Sequence, residues 1–161
     1  MNNITAPEVW KFRTDVALRK RYFTPEAFRH PAKAHLLLVQ KLVQRYTLPG
    51  ETILDPMAGT GTLLLAATLQ RNVILRDLEP AYVALIEASV PIIRGAGGLL
   101  CGAIDVGVAD ARTITCPTFD HIIFLAALRI RDGQRYHPGA TSQNFRRAAG
   151  QTSWAATPLR R

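Results

Sequence analysis

The segment Ile53-Leu54-Asp55-Pro56-Met57-Ala58-Gly59-Thr60-Gly61-Thr62 constrains this chain more than any other. A short apolar run from Thr52 to Leu54 reaches an acidic residue, then a tight turn with two glycines, then an apolar helix beginning near Leu63. Strand, glycine turn and helix N-terminus in that order hold nucleotide-like ligands in parallel α/β sheets. Glycine serves where the backbone needs a positive φ or must approach a ligand closely, because a Cβ would collide. No Lys follows Gly61, so the turn is not a phosphate-binding P-loop, and the full G-x-G-x-x-G fingerprint is absent.

Around this loop the pattern alternates between strand and helix. A helix is expected from Ala34 to Tyr46, with Leu36, Val39 and Val43 on one face. Strands are expected at Thr52–Leu54, Asn72–Leu75, around Val106–Val108 and at Phe119–Phe124. Helices are expected at Leu63–Leu69 and Ala81–Ile93, the second with Pro80 at its first position and Gly95, Gly97 and Gly98 in the loop that follows. This order implies an α/β fold with a doubly wound, mostly parallel sheet.

Ligands of such sheets sit at the carboxyl ends of the strands. Asp55 ends the first strand and either caps the next helix or faces a cofactor; the Gly59-x-Gly61 spacing favours the cofactor. Asp77 ends the second strand 22 residues later, close to the offset at which a carboxylate accepts both ribose hydroxyls of an adenosine. Leu78 would then lie against the adenine. Asp110 ends the third strand and serves either as acceptor for the adenine amino group or as a simple turn residue.

Asp55-Pro56-Met57-Ala58-Gly59-Thr60-Gly61-Thr62 resembles the cofactor loop, motif I, of S-adenosylmethionine-dependent methyltransferases, in the form used by enzymes that methylate exocyclic amino groups of nucleic-acid bases. His30-Pro31-Ala32-Lys33 with its following helix is similar to motif X of the DNA amino-methyltransferases, Asp77-Leu78-Glu79-Pro80 to their motif II, and Ala109-Asp110-Ala111-Arg112 to their motif III. The resemblance covers about residues 22–124 and implies a Rossmann-like methyltransferase fold, incomplete at its C-terminal side. It also implies an S-adenosylmethionine site made by His30, Lys33, Asp55, Pro56, Ala58, Gly59, Thr60, Gly61, Thr62, Asp77, Leu78 and Asp110. The family reaction is methyl transfer to adenine or cytosine in DNA, with no metal. Two other readings stand beside it: an RNA guanosine amino-methyltransferase of the same fold, and a non-catalytic nucleic-acid-binding remnant.

In these enzymes a tetrapeptide Ser/Asp/Asn-Pro-Pro-Tyr/Phe at the end of strand four orients the target amino group, and its aromatic ring stacks on the flipped base. Here Phe124 is followed by Leu125-Ala126-Ala127-Leu128-Arg129, which can do neither, so no catalytic residue is assigned. The codons TCG CCG CCC TAC GG encode Ser-Pro-Pro-Tyr; preceded by one extra C they read Leu-Ala-Ala-Leu-Arg. A frame disruption near residue 125 is therefore expected. The resulting organisation is an N-terminal extension (1–29), a cofactor-binding half (30–124) and a basic, non-native or disordered tail (125–161).

The formal charge of +8 fits that division. Residues 1–124 carry thirteen Lys/Arg against eleven Asp/Glu, whereas 125–161 carry seven Arg against one Asp. The cluster Arg19-Lys20-Arg21 before Tyr22-Phe23 reads as a solvated helix end beside two aromatic anchors rather than as a nucleic-acid contact. Cys101 and Cys116 form no disulfide framework, no secretory signal opens the chain, and no apolar run approaches the ~18–20 residues of a membrane span, so a cytoplasmic location is expected.

Overall fold

A computed structural model describes residues 9–29 and 33–124. Three helices come first: α1 (Val16–Tyr22), α2 (Pro25–Arg29) and α3 (Leu36–Tyr46). Then follow β1 (Thr52–Asp55), a 3₁₀ helix (Thr62–Leu69), β2 (Asn72–Asp77), α4 (Pro80–Gly97), a short 3₁₀ turn (Gly98–Leu100), β3 (Ile104–Val108) and β4 (His121–Ile122). All strand pairs are parallel and the order is β3-β2-β1-β4. This is the Rossmann-like α/β arrangement, in which the strand order reverses between β1 and β4 and opens a crevice at their carboxyl ends.

The period-two alternation of the strands decides what is buried. Ile53, Val73 and Leu75 join one core cluster with Leu36, Val39 and Val43 of α3, Leu63 to Ala67 of the 3₁₀ helix, and Ile86 and Ile93 of α4. Leu54 and Ile74 alternate to the opposite face and are also buried. The expected stripe of α3 is the one that packs. The run after the loop is apolar all round, and it winds as a 3₁₀ helix ending at Gln70, whose φ of 68° is the one positive value on a non-glycine residue among the described residues.

Three expectations are corrected. Gly95 and Gly97 belong to α4, which runs to Gly97 and stops at Gly98 with φ +58°. The absent side chain of Gly97 lets the helix end approach Cys101, where a Cβ would stand 3.0 Å from the Cys101 Cβ. The segment Pro80–Leu100 is, by length and a mean hydropathy of 1.5, apolar enough to cross a bilayer, against the expectation that no apolar run approaches that length. In this fold it is the β2-to-β3 crossover, with Val83, Ile86 and Ile93 buried. Finally, Arg19 is not solvated: it is buried, bound to Asp15 at 3.0 Å and to the Ala34 carbonyl, while Asp15 in turn accepts the Leu36 N–H that opens α3. Position 125 and the whole tail lie outside the described residues.

Arg71 is the buried group that the sequence did not announce. Its Nε donates to Thr47 Oγ1 at 3.0 Å, and its terminal nitrogens donate to the carbonyls of Thr47 and Leu69, both at 2.6 Å. One guanidinium thus satisfies carbonyls just past α3 and at the end of the 3₁₀ helix, where the helix dipoles favour a cation. The Arg71 carbonyl is approached so closely by Gly102 that a Cβ there would lie 1.9 Å from it. Replacing Arg71 by Leu should lower unfolding free energy by about 3 kcal/mol, since several charge-assisted bonds are lost and their acceptors stay buried. Urea denaturation checks this, and a loss below ~1 kcal/mol would count against the staple.

Candidate functional site

The register places two acidic side chains together. Asp55 is the β1 partner of Leu75, and Asp77 lies two residues farther along β2 on the same face. Both carboxyls are buried at the carboxyl ends of the two central strands. Asp55 accepts the Met57 N–H at 3.1 Å. Asp77 does more: Oδ2 accepts the Gly59 N–H at 2.7 Å and Oδ1 accepts the Glu79 N–H at 3.0 Å. It therefore ties the glycine loop to the start of α4. The main chain repeats the tie, with Ala58 N–H donating to the Arg76 carbonyl at 2.8 Å.

The two loop glycines have different jobs, which the sequence could not separate. Gly61 has φ +80°, and a Cβ there would stand 2.8 Å from Ile86 Cγ1, so it is required by the close passage of α4. Gly59 has φ +53° with no atom within 4 Å of where its Cβ would point. That open space, framed by backbone and by Asp77, is a cradle that a side chain would fill. Ala58, Thr60 and Thr62 are buried in the loop behind it. Leu78 and Met57 stand out by contrast, apolar yet 60% and 45% exposed beside the buried carboxyls. Two carboxylates, an open glycine and an exposed leucine fit a ligand that offers hydroxyls and a flat apolar face.

The remaining expected site residues are placed as follows. Asp110 sits just past β3, and Ala109 N–H binds the Asp77 carbonyl at 3.0 Å, so the β3 end adjoins the site. Arg112 occupies both Asp110 oxygens, and its side-chain and backbone bonds hold the Asp110 carboxyl down to about 2. Lys33 donates to the Phe28 carbonyl at 2.6 Å within the N-terminal helical layer. His30 and Pro31 lie outside the described residues. A separate cavity of about 330 Å³ between α3 and β4 is lined by Leu42, Tyr46 and His121 to Phe124, none of them loop residues. No group of three or more His, Cys, Asp or Glu suited to a metal occurs among the described residues.

These features describe an acidic, glycine-lined crevice at the carboxyl ends of a parallel α/β sheet. Residues 3–88, more than half of the chain, match the family model described as DNA methylase, and the chain belongs to that family. The Type II methyltransferase M.BglI of Bacillus subtilis is 42% identical over 62 residues, which are 38% of this chain and 18% of that protein. Among solved structures, TrmN from Thermus thermophilus is similar at 28% identity and a TM-score of 0.49, covering 66% of this chain and 32% of TrmN. A putative RNA methyltransferase, PH1948 from Pyrococcus horikoshii, is similar at 18% identity and a TM-score of 0.47, covering 69% and 54%. The chain thus spans under a third of the length of M.BglI and of TrmN.

Burial, with a further push from Asp77, raises the Asp55 carboxyl to about 7. The folded value exceeds the unfolded one, so this group stabilises the fold at low pH and that contribution is lost as pH rises through about 7. Wild type should therefore lose on the order of 3 kcal/mol from this group between pH 5 and pH 8. Asp55→Asn keeps the acceptor for Met57 and should flatten that dependence. Urea unfolding at the two pH values checks it; identical pH profiles for both proteins would refute the assignment.

Proposed function

We propose that residues 30–124 form the S-adenosylmethionine-binding half of a DNA methyltransferase that modifies the exocyclic amino group of adenine or cytosine. The observation that carries this reading is Asp77 closed on Gly59 N–H at the carboxyl end of β2, within a chain of the DNA methylase family. When bound, the cofactor supplies an electrophilic methyl group on a sulfonium. The protein's part is binding and orientation. Each Asp77 oxygen retains acceptor capacity beyond its loop bond, so the carboxylate can take the ribose hydroxyls without releasing the loop. Leu78 offers the apolar face for adenine, Gly59 lets the backbone come close, and Asp110 is the acceptor at the far end once Arg112 shares it. His30 and Lys33, which precede α3 in sequence, would serve the methionine end, as the motif resemblance implies.

Orientation of the target amino group would fall to the tetrapeptide after β4, and Leu125-Ala126-Ala127-Leu128 cannot supply it. We therefore infer that this chain binds cofactor without transferring methyl groups by itself. A frame disruption accounts for both the lost motif and the altered composition after it. The coding DNA decides that point: the neighbouring frame must contain Ser-Pro-Pro-Tyr.

Calorimetric titration with S-adenosylhomocysteine tests the site. Asp77→Ala and Gly59→Val should each weaken binding at least tenfold, while incubation of wild type with duplex DNA and labelled cofactor should give no methylated base. Equal binding by all three proteins would remove the site from this loop.

A further inference from the structure

The small net charge of residues 1–124 conceals a sharp segregation. Between residues 9 and 48 there are nine Lys/Arg against two Asp/Glu, a net +7. Between residues 49 and 124 there are four Lys/Arg against eight Asp/Glu, a net −4. The first stretch is the N-terminal helical layer and the second is the sheet with its cofactor loop. Of the two carboxylates in the basic layer, Asp15 is already committed to Arg19 and to the Leu36 N–H. Lys11, Arg13, Lys20, Arg21 and Lys41 are all exposed. Among the described residues Lys11, Arg13 and Lys20 have no carboxylate partner.

Aromatic packing holds this charge in place. Lys41 Nζ lies 5.6 Å from the Trp10 ring centre and the Arg45 guanidinium 6.0 Å from it. Phe12 meets Trp10 edge-on at 6.5 Å and stacks on His35 at 5.5 Å. With Asp15 on the Leu36 N–H, residues 10–15 run lengthwise along α3 toward its N-terminus. That end of α3 is the end nearer the carboxyl edge of the sheet, because α3 descends to the turn that starts β1. Lys11 and Arg13 are thus carried on a rail of rings rather than on a free terminus.

We propose that this layer, and not the arginine-rich tail, is the surface on which the phosphate backbone of duplex DNA runs. The inference rests on the DNA methylase reading and adds the place of contact. A concentrated positive layer, in which Lys11, Arg13 and Lys20 have no carboxylate partner among the described residues, repels itself unless a polyanion neutralises it, and it steers such a partner. The acidic half suits the opposite ligand, a cofactor of net positive charge. Separating the two signs keeps the phosphates away from the carboxylates that serve the cofactor.

The test is fluorescence anisotropy of a labelled duplex with the full chain across a series of KCl concentrations. Each phosphate contact adds about 0.9 to the slope of log K against log salt. The triple substitution Lys11→Gln, Arg13→Gln, Lys20→Gln should make that slope shallower by about 2.7. Lys11→Arg with Lys20→Arg should keep it, and calorimetric binding of S-adenosylhomocysteine should be unchanged in every variant. Replacing the seven Arg of residues 129–161 by Gln should leave most of the slope. The proposal is overturned if the slope follows the tail substitutions instead, if the full chain does not bind duplex DNA, if duplex RNA binds more tightly, or if the triple variant loses cofactor. Failure of cofactor binding in wild type, with the DNA slopes as expected, would instead count against the cofactor reading alone.

Discussion

Everything in the central part of this protein follows from how closely α4 passes the glycine loop. Ile86 is fully buried and leaves no room for a Cβ at Gly61. That contact seats α4 over the start of the 3₁₀ helix and sets the height at which β2 delivers Asp77. Asp77 then reaches back to the Gly59 N–H, and the Arg76 carbonyl to that of Ala58. Glycine loop and crossover helix are thereby one mechanical unit. A side chain at 61 would be felt at 77.

Much of this was legible because it is written in periodicity. The Leu36, Val39, Val43 stripe and the acidic ends of β1 and β2 follow from spacing alone, and the structure buries or aligns them as expected. Other features depend on tertiary distances that spacing does not encode. Gly95 and Gly97 look like a loop, yet the helix continues through them, and the missing Cβ of Gly97 leaves room for Cys101. Arg71 looks like a surface cation until α3 and the 3₁₀ helix bring carbonyls around it. The layer charge was hidden by summation, since a net value over 124 residues cancels two opposite surfaces.

The two buried carboxyls also show how one fold separates tasks between similar groups. Asp77 accepts two backbone N–H groups and works as a structural acceptor. Asp55 is held protonated to about pH 7 by burial above all, with a further push from Asp77 that its single N–H donor only partly offsets. A positively charged ligand arriving beside it would favour the ionised form and release that proton. Binding of such a ligand and proton release would then be linked through one side chain.

Among the described residues, β4 is two residues long and pairs with β1 alone. Its footing is the Asp120 carboxyl on the Thr52 N–H at 2.8 Å and the His121 ring on Glu51 at 2.9 Å, both partly exposed. Amides of β1 and β2, paired on both sides, sit in the most protected cooperative unit, whereas those of β4 open in smaller fluctuations. In hydrogen exchange this sheet would therefore come apart from one side, β4 before β1. Among the described strands, β4 is the first to let go.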